Sequence, residues 1–110
     1  MFIVWVTIKV LSEHTIAFQA AISENADSSV QLEAGCLQFD VIDLGDSASH
    51  HRFALYEIYR DEQSFQIEHK QSAHYVRFQA AVEPLLAAGG LSVTTGTLLV
   101  RGAAQPAGGR

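Results

Sequence analysis

The sequence has few cysteines, few basic residues and no long apolar run, and each shortage argues against a class of protein. Its single cysteine, Cys36, cannot form an internal disulfide and is expected to be a small buried hydrophobe. Seven basic residues stand against twelve acidic ones, so the chain has no basic stripe for phosphates and nucleic-acid binding is not expected. Without a membrane-length apolar run or a secretory signal, we expect a cytoplasmic protein with no membrane partner.

Common catalytic and cofactor motifs are also missing. The chain contains no nucleotide-binding loop, no serine nucleophile elbow and no CxxC pair. The adjacent histidines His50 and His51 end a polar loop without a third ligand at a suitable spacing, so they are a weak metal signal and are expected to be solvated. We therefore expect neither a bound metal nor an organic cofactor.

The composition is that of one globular domain. Hydrophobic residues make up 48% and charged residues 17% of the 110 positions, which is enough for a single core but not for two. We expect the domain to span residues 1–101. Residues 102–110 are rich in Gly, Ala and Pro, show no periodicity and are expected to be a tail.

The first predicted strand, residues 2–11, gives a reason to expect a homodimer. It is dense in β-branched side chains, and both of its alternating faces are largely apolar. A single layer of helices covers only one side of a sheet, so the second face needs another cover. In so small a chain, the simplest cover is a second copy of the protein.

The order of elements predicts an α+β fold of the ferredoxin-like type. A helix follows the first strand, with Gly35 expected as its left-handed cap, and a later helix begins at Asp61, breaks and restarts near Ala73 before ending at Gly89-Gly90. The predicted strands lie at residues 2–11, 36–44, 52–59 and 91–101, and the predicted helices at 12–33, 61–69 and from 73 onward. Two strand–helix–strand halves, βαββαβ, form an antiparallel sheet.

Glu57 is a carboxylate in apolar surroundings. It shares a face of the third predicted strand with aromatic and aliphatic residues, and loss of water would raise its pKa unless a cation compensates. A perturbed carboxylate of this kind often marks a functional site. The structural alternative is an ion pair with Lys9, Arg52 or Arg77.

Three further polar residues fall where the helical pattern predicts burial. His69 and His74 flank the predicted helix break at the edges of apolar stripes, and Asn25 lies within the stripe of the first helix. A buried amide or imidazole needs a partner, which is either a neighbouring protein group or a ligand. The pattern leaves both alternatives open.

Two stretches resemble the antibiotic biosynthesis monooxygenase (ABM) family. Residues 25–41, Asn-Ala-Asp-Ser-Ser-Val-Gln-Leu-Glu-Ala-Gly-Cys-Leu-Gln-Phe-Asp-Val, resemble the signature N-A-x-x-S-V-x-x-E-P-G-C-x-x-F-D-V. The block Phe-Ala-Leu-Tyr-Glu-Ile-Tyr-Arg-Asp-Glu that starts at Phe53, followed by Phe65, His69, His74 and Phe78, resembles F-x-L-Y-E-x-Y-x-D-E-x-A-F-x-x-H-x-x-T-x-H-(F/Y). The similarity covers roughly residues 2–87, with Ala34 and Ser72 in place of the usual Pro and Thr, and it does not extend to the fourth strand.

This resemblance implies a dimeric α+β barrel with one small-molecule pocket in each subunit, between helices and sheet. The residues it implies for catalysis are Asn25, Glu57, His69 and His74. Weaker candidates for the pocket walls are Trp5, Phe39, Tyr56 and Tyr75.

The resemblance leaves three functions open. The favoured one is cofactor-independent monooxygenation, in which a base removes a proton from a quinol- or polyketide-like substrate and the anion reacts with O2 as co-substrate. The second is an LsrG-type isomerisation of a phosphorylated autoinducer-2 dione, in which the proton returns at a neighbouring carbon. Both need a base, expected to be His69 or His74, with Glu57 tuning it and Asn25 stabilising the oxyanion. The third is a non-catalytic dimeric ligand-binding module.

Overall fold

A four-stranded antiparallel sheet carries the helices of this protein on one of its faces, in a computed structural model that describes residues 1–103. The elements, in chain order, are β1 (Phe2–Leu11), a 3-10 turn (Ser12–His14), α1 (Thr15–Leu32), β2 (Cys36–Asp46), β3 (His50–Tyr59), a π-helical turn (Ser64–His69), α2 (Ala73–Val82), a second 3-10 turn (Glu83–Leu85) and β4 (Leu86–Thr97). The strand order β2-β3-β1-β4 confirms the predicted ferredoxin-like arrangement. Most of the predicted tail, residues 104–110, lies outside the described residues.

The core lies between the helices and one face of the sheet. Along β1 the side chains of Val4, Val6, Ile8 and Val10 are buried, while those between them are half-buried or exposed. This alternation follows from the pleat of a strand, which sends successive side chains to opposite faces. The opposite face carries apolar side chains that none of the described helices covers, among them Trp5, which is 37% exposed.

Gly35 allows a close approach between two turns and is not the left-handed cap that the sequence predicts. Within residues 1–103, positive φ angles occur at Gly45 and Gly89 only. A Cβ atom on Gly35 would lie 2.3 Å from Ser64 Oγ and 2.5 Å from Ser64 Cβ. The Arg60 N–H also donates to the Gly35 carbonyl at 2.8 Å. The missing side chain therefore lets the end of α1 pack against the π-helical turn.

The predicted bounds of the last helix and strand are wrong. Helical structure ends at Leu85, and β4 runs from Leu86 to Thr97 instead of over 91–101. Gly89 and Gly90 lie inside the strand, at an irregularity in its pairing with β1. The local sequence resembles the end of a helix, but hydrogen bonding to β1 makes this segment a strand. The irregularity in the pairing is a β-bulge, and the two glycines permit its backbone conformation.

His50 and His51 belong to β3 and not to the loop in which the sequence places them, and both are half-buried. The His51 Nε2 atom lies 2.7 Å from Asp43 Oδ1, and its ring stacks on Phe53 with centroids 4.4 Å apart. The pKa of Asp43 is lowered by this hydrogen bond and by one from the backbone N–H of Gly45. The pair thus joins β2 to β3.

The helical segments after β3 begin and break where the sequence predicts. Asp61 Oδ1 accepts hydrogen bonds from the backbone N–H and hydroxyl of Ser64, at 2.8 and 2.7 Å. The segment that follows is π-helical, which the sequence does not predict, and α2 restarts at Ala73. None of the described helices is both long enough and apolar enough to cross a bilayer.

Candidate active site

One face of α1 carries three polar residues toward the centre of the molecule. Asn25, Ser29 and Glu33 are spaced four residues apart, so they share a helical face. Asn25 and Ser29 are buried, and Glu33 follows the last residue of the helix, where its N–H donates to the Ser29 carbonyl at 3.1 Å. Neither Asn25 Oδ1 nor Ser29 Oγ has a hydrogen-bond partner in the described part of the chain.

The break between the π-helical turn and α2 brings the two candidate histidines together. His69 is the last residue of the turn, and its carbonyl accepts hydrogen bonds from the N–H and hydroxyl of Ser72, at 3.1 and 2.6 Å. The Ser72 hydroxyl also caps α2 by accepting from the Tyr75 N–H. His74 lies in the first turn of α2, and the two imidazole centroids are 6.2 Å apart. π-Helical turns are often found at functional sites.

Glu33 links both histidines through its carboxylate. His69 Nδ1 lies 2.9 Å from Glu33 Oε2 and 3.1 Å from Oε1, and His74 Nε2 makes a short hydrogen bond with the same Oε2. The side chains of His69, Glu33 and His74 are 2%, 7% and 5% exposed. Burial acts to raise the pKa of Glu33, but the hydrogen bonds and charges of His69 and then His74 outweigh it, so that pKa is lowered. Glu33 is therefore the ionised acceptor of both imidazole N–H groups.

Glu57 has a phenol as its partner, and the alternative of an ion pair with Lys9, Arg52 or Arg77 is not seen among residues 1–103. The Tyr59 hydroxyl donates to Glu57 Oε1 at 2.5 Å, and both side chains are buried. Of the three proposed cations, Arg77 pairs with Glu24 at 2.9 Å instead. Burial raises the pKa of Glu57, against the smaller opposing effects of the Tyr59 hydrogen bond and the charge of His69. Burial and then the charge of Glu57 raise the pKa of Tyr59.

Glu57, His69 and Asn25 all line one cavity of about 670 Å³ between the sheet and the helices. Phe39 and Tyr75 line it too, as predicted for pocket walls. The remaining walls are mostly apolar, with contributions from Val6, Ile8, Leu55, Phe65, Leu86, Leu91 and Val93. A largely apolar cavity of this size with a few convergent polar groups is typical of a small-molecule site.

Aromatic rings hold the His69 imidazole in place. Its centroid lies 4.9 Å from that of Tyr75, 5.3 Å from that of Tyr59, 5.9 Å from that of Phe65 and 6.3 Å from that of Phe39. Within residues 1–103, no hydrogen bond reaches its second ring nitrogen, Nε2. Because Nδ1 donates to Glu33, Nε2 is the unprotonated nitrogen in the neutral ring. The ring that carries this nitrogen lines the cavity.

Trp5 and Tyr56 lie on the other side of the sheet, which corrects their predicted position in the pocket. They are direct partners in the pairing of β1 with β3, and their rings pack edge to face with centroids 6.3 Å apart. The neighbouring pair, Val4 and Glu57, faces the cavity side. Strand alternation therefore excludes Trp5 and Tyr56 from the cavity of their own chain.

His74 lines a second, smaller cleft of about 470 Å³ between α1 and α2 and does not line the larger cavity. Asn25 lines both, and the Glu24–Arg77 ion pair lies at the second cleft. Of the two predicted bases, His69 is thus the one beside Glu57.

Sequence reasoning missed Glu33, Ser29 and Tyr59 as members of the site. The spacing of each residue along the sequence could have indicated it. Glu33 and Ser29 lie in the quoted stretch 25–41 at four-residue steps from Asn25, and Tyr59 follows Glu57 by two positions on a strand. Their importance depends on contacts across the fold, which these spacings allow but do not specify.

Comparison with known proteins identifies the family. The sequence profile described as "Antibiotic biosynthesis monooxygenase" matches residues 1–81. A structure from Nitrosomonas europaea, provisionally described as an antibiotic biosynthesis monooxygenase, is 28% identical over 91% of this chain and all of its own, with a TM-score of 0.80. A protein from Pseudomonas aeruginosa is 26% identical over 90% of this chain and 94% of its own, with a TM-score of 0.74.

More distant structures share the fold. A structure from Deinococcus radiodurans, with the same provisional description, is 19% identical and covers 96% of this chain and all of its own, with a TM-score of 0.79. No curated protein matches the chain. Since the profile matches well over half of the sequence, this chain belongs to the antibiotic biosynthesis monooxygenase family.

Proposed function

We propose that the protein is a cofactor-independent monooxygenase that oxidises a small quinol- or polyketide-like substrate in the cavity lined by His69 and Glu57. The main observation in support of this proposal is the hydrogen bond from His69 Nδ1 to Glu33. It leaves Nε2 as the basic nitrogen, beside a cavity of a size that suits a small aromatic substrate. A buried imidazole oriented by a carboxylate is a common arrangement for a general base.

The reaction begins with proton transfer to His69 Nε2. The proton comes from a phenol or from a carbon next to a carbonyl, and the resulting anion is electron-rich enough to reduce O2 directly. For a methylene substrate, the carbon loses two hydrogens and gains one oxygen atom as a carbonyl, and the second oxygen atom leaves as water. The substrate thus supplies all of the electrons, and the protein supplies the base and an environment that favours the anion.

Two other side chains stabilise the charge that develops. The Asn25 amide lines the cavity, and its N–H groups can donate to an oxyanion. Because burial raises the pKa of Glu57, its carboxyl group also tends to keep a proton that it can donate. His74 acts through Glu33, since it hydrogen-bonds to that carboxylate and lies outside the cavity.

A second candidate function is the isomerisation of a phosphorylated diketone, which uses the same base. The observation in its favour is Lys70, which lines the cavity and lies with its ammonium group 4.9 Å from the centroid of the Phe65 ring. A lysine at that place can attract a phosphate. In this reaction the proton on His69 returns to the neighbouring carbon, and no oxygen is consumed.

Oxygen uptake by metal-free protein with a panel of hydroquinones and anthrones tests the proposal. We expect protein-dependent uptake that falls by about a hundredfold or more in His69→Gln, since glutamine cannot accept the proton. His74→Leu should reduce uptake by about tenfold, because Glu33 loses one of its two donors. His51→Gln is the matched control and should match the wild type, because His51 pairs with Asp43 on the β2–β3 edge.

Each outcome separates the candidates. Equal uptake by wild type and His69→Gln would contradict the role of His69 as base. If none of the panel is oxidised, solvent deuterium entering a phosphorylated diketone, again dependent on His69, would favour the isomerase. Tight binding of panel compounds without either reaction would favour the non-catalytic module.

A further inference from the structure

We propose that Glu33, His69 and His74 form a binding site for a divalent transition-metal ion such as zinc, which replaces the protons that they share. One donor atom from each of the three side chains lies within 4.8 Å of the other two. The residues come from the end of α1, the end of the π-helical turn and the first turn of α2. The tertiary structure, and not a local motif, brings them together.

The donor set suits a transition metal. Two imidazole nitrogens and one carboxylate are typical ligands of Zn²⁺, Fe²⁺ and Co²⁺, whereas Mg²⁺ and Ca²⁺ prefer oxygen ligands. Two ligand atoms that each lie about 2.1 Å from one ion, at the tetrahedral angle that Zn²⁺ prefers, are about 3.4 Å apart. His69 Nδ1 and Glu33 Oε2 are 2.9 Å apart, so they would separate by about half an ångström to bind the ion. Small movements of the side chains therefore suffice to admit an ion.

The surrounding structure holds the three ligands in place before an ion arrives. All three side chains are more than nine-tenths buried. The two hydrogen bonds from Ser72 to the His69 carbonyl fix the turn between the histidines. Four aromatic rings pack around the His69 imidazole. Such supporting contacts reduce the conformational entropy that binding would otherwise cost.

Two buried oxygens provide an independent sign of a missing ligand. Asn25 Oδ1 and Ser29 Oγ have no hydrogen-bond partner in the part of the chain described, although each residue is almost fully buried. They precede Glu33 on the same face of α1, and Asn25 lines both the His69 cavity and the His74 cleft. Water molecules on a bound ion are strong donors and would satisfy such acceptors.

Metal binding would also regulate the proposed reaction. An ion on His69 Nδ1 leaves the hydrogen of the neutral ring on Nε2, so this nitrogen can no longer accept a proton from a substrate. The metal-bound protein is then the inactive form. This consequence rests on the proposed function, whereas the binding itself does not.

Titration of the chelator-treated full-length protein with Co²⁺, followed by its visible absorption, tests the site. We expect one equivalent of Co²⁺ to saturate the spectral change, and Zn²⁺ to displace it. Glu33→Gln and His74→Asn should each weaken binding by more than about a hundredfold, because even the loss of a supporting contact costs up to about that factor. The control His51→Asn removes a histidine that is paired elsewhere and should bind as the wild type does.

A measurement on the wild-type protein tests the site even if the variants fail to fold. Zn²⁺ should shift the ¹⁵N resonances of His69 Nδ1 and His74 Nε2 and leave those of His14, His50 and His51 unchanged. Equal affinity in wild type, Glu33→Gln and His74→Asn, or shifts confined to the surface histidines, would overturn the proposal. No substrate enters these experiments, so a failed oxygen-uptake assay and a failed metal titration are distinguishable results.

Discussion

At the residue scale, the site depends on which hydrogen bonds its few titratable groups make. The hydrogen bonds and charges of two imidazoles lower the pKa of Glu33, whereas burial raises the pKa of Glu57, which has a single phenol partner. The pKa values of two buried carboxylates thus shift in opposite directions, as in enzymes that assign acid and base roles by environment. The difference arises from the partners and not from the amino-acid type.

Glu57→Gln should raise the stability of the protein at neutral pH relative to the wild type. The pKa of Glu57 is raised in the folded state above its ordinary value of 4.5. Its proton therefore contributes stability that is fully present below pH 4.5 and is lost as the pH rises through the folded-state pKa. Glutamine keeps an acceptor for the Tyr59 hydroxyl and never ionises.

Urea unfolding of both proteins between pH 4 and pH 8 measures this effect. The free energy of unfolding of Glu57→Gln should increase relative to that of the wild type as the pH rises. A difference that stays constant across this range would show that the carboxyl group ionises equally in the folded and unfolded states.

The sequence indicates that Glu57, His69, His74 and Asn25 are buried, because each falls within or beside an apolar pattern. It does not identify their partners. Glu33 lies 36 positions before His69 along the chain, and no periodicity links the two. Nor does it decide between the two alternatives for Glu57, since only the folded chain shows that Arg77 reaches Glu24 across the α1–α2 interface.

At the element scale, the site forms where helical segments end. Glu33 follows α1, His69 ends the π-helical turn and His74 lies in the first turn of α2. Side chains at such ends can converge, since the chain changes direction there. The contact of Gly35 with Ser64 fixes the distance between α1 and the π-helical turn.

Gly35→Ala should destabilise the protein by about 1–3 kcal/mol through overpacking. The added Cβ would lie 2.3 Å from Ser64 Oγ, so the π-helical turn that carries His69 must move. Urea unfolding measures the cost, and a lowered rate of oxygen uptake should accompany it. The reason is that the hydrogen bond between Glu33 and His69 spans the same two segments.

Two matched variants test this explanation. Gly96→Ala, where nothing lies within 4 Å of the added Cβ, should change stability by less than about 0.5 kcal/mol. In a Ser64→Gly background, Gly35→Ala should cost less than it does alone, because its contact partner is absent. If Gly35→Ala lowers the free energy of unfolding equally in both backgrounds, its effect comes from the backbone conformation and not from the contact with Ser64.

At the scale of the whole molecule, one face of the sheet has no cover from residues 1–103. Trp5 is 37% exposed on this face and packs against Tyr56. The opposite face carries the core beneath the helices, although Leu91 and Val93 of β4 on that side are 57% and 52% exposed. This asymmetry is what a sheet that pairs with a second copy requires, and the homodimer remains a prediction.

Trp5→Glu should weaken a dimer formed through this face by at least about tenfold in Kd, because a carboxylate buried between two sheets is costly. Sedimentation equilibrium over a range of concentrations measures the association. Ile16→Glu is the matched control, since Ile16 is exposed on α1, and it should leave the mass unchanged. A monomeric wild type, or an equal effect of the two variants, would exclude this face as the interface.

The sequence by itself determined the class of fold, most of the element positions and the burial of the candidate polar residues. Each of these follows from local patterns, such as strand alternation in residues 2–11 or the break after His69, which neighbouring residues specify. Only the tertiary structure decided that Glu33 joins His69 and His74, that Tyr59 is the partner of Glu57, and that Trp5 and Tyr56 lie outside the cavity. It also decided that Gly89 and Gly90 belong to β4, because pairing with β1 overrides the local helix signal. Contacts between residues distant in the chain depend on how whole elements pack, and no local spacing encodes them.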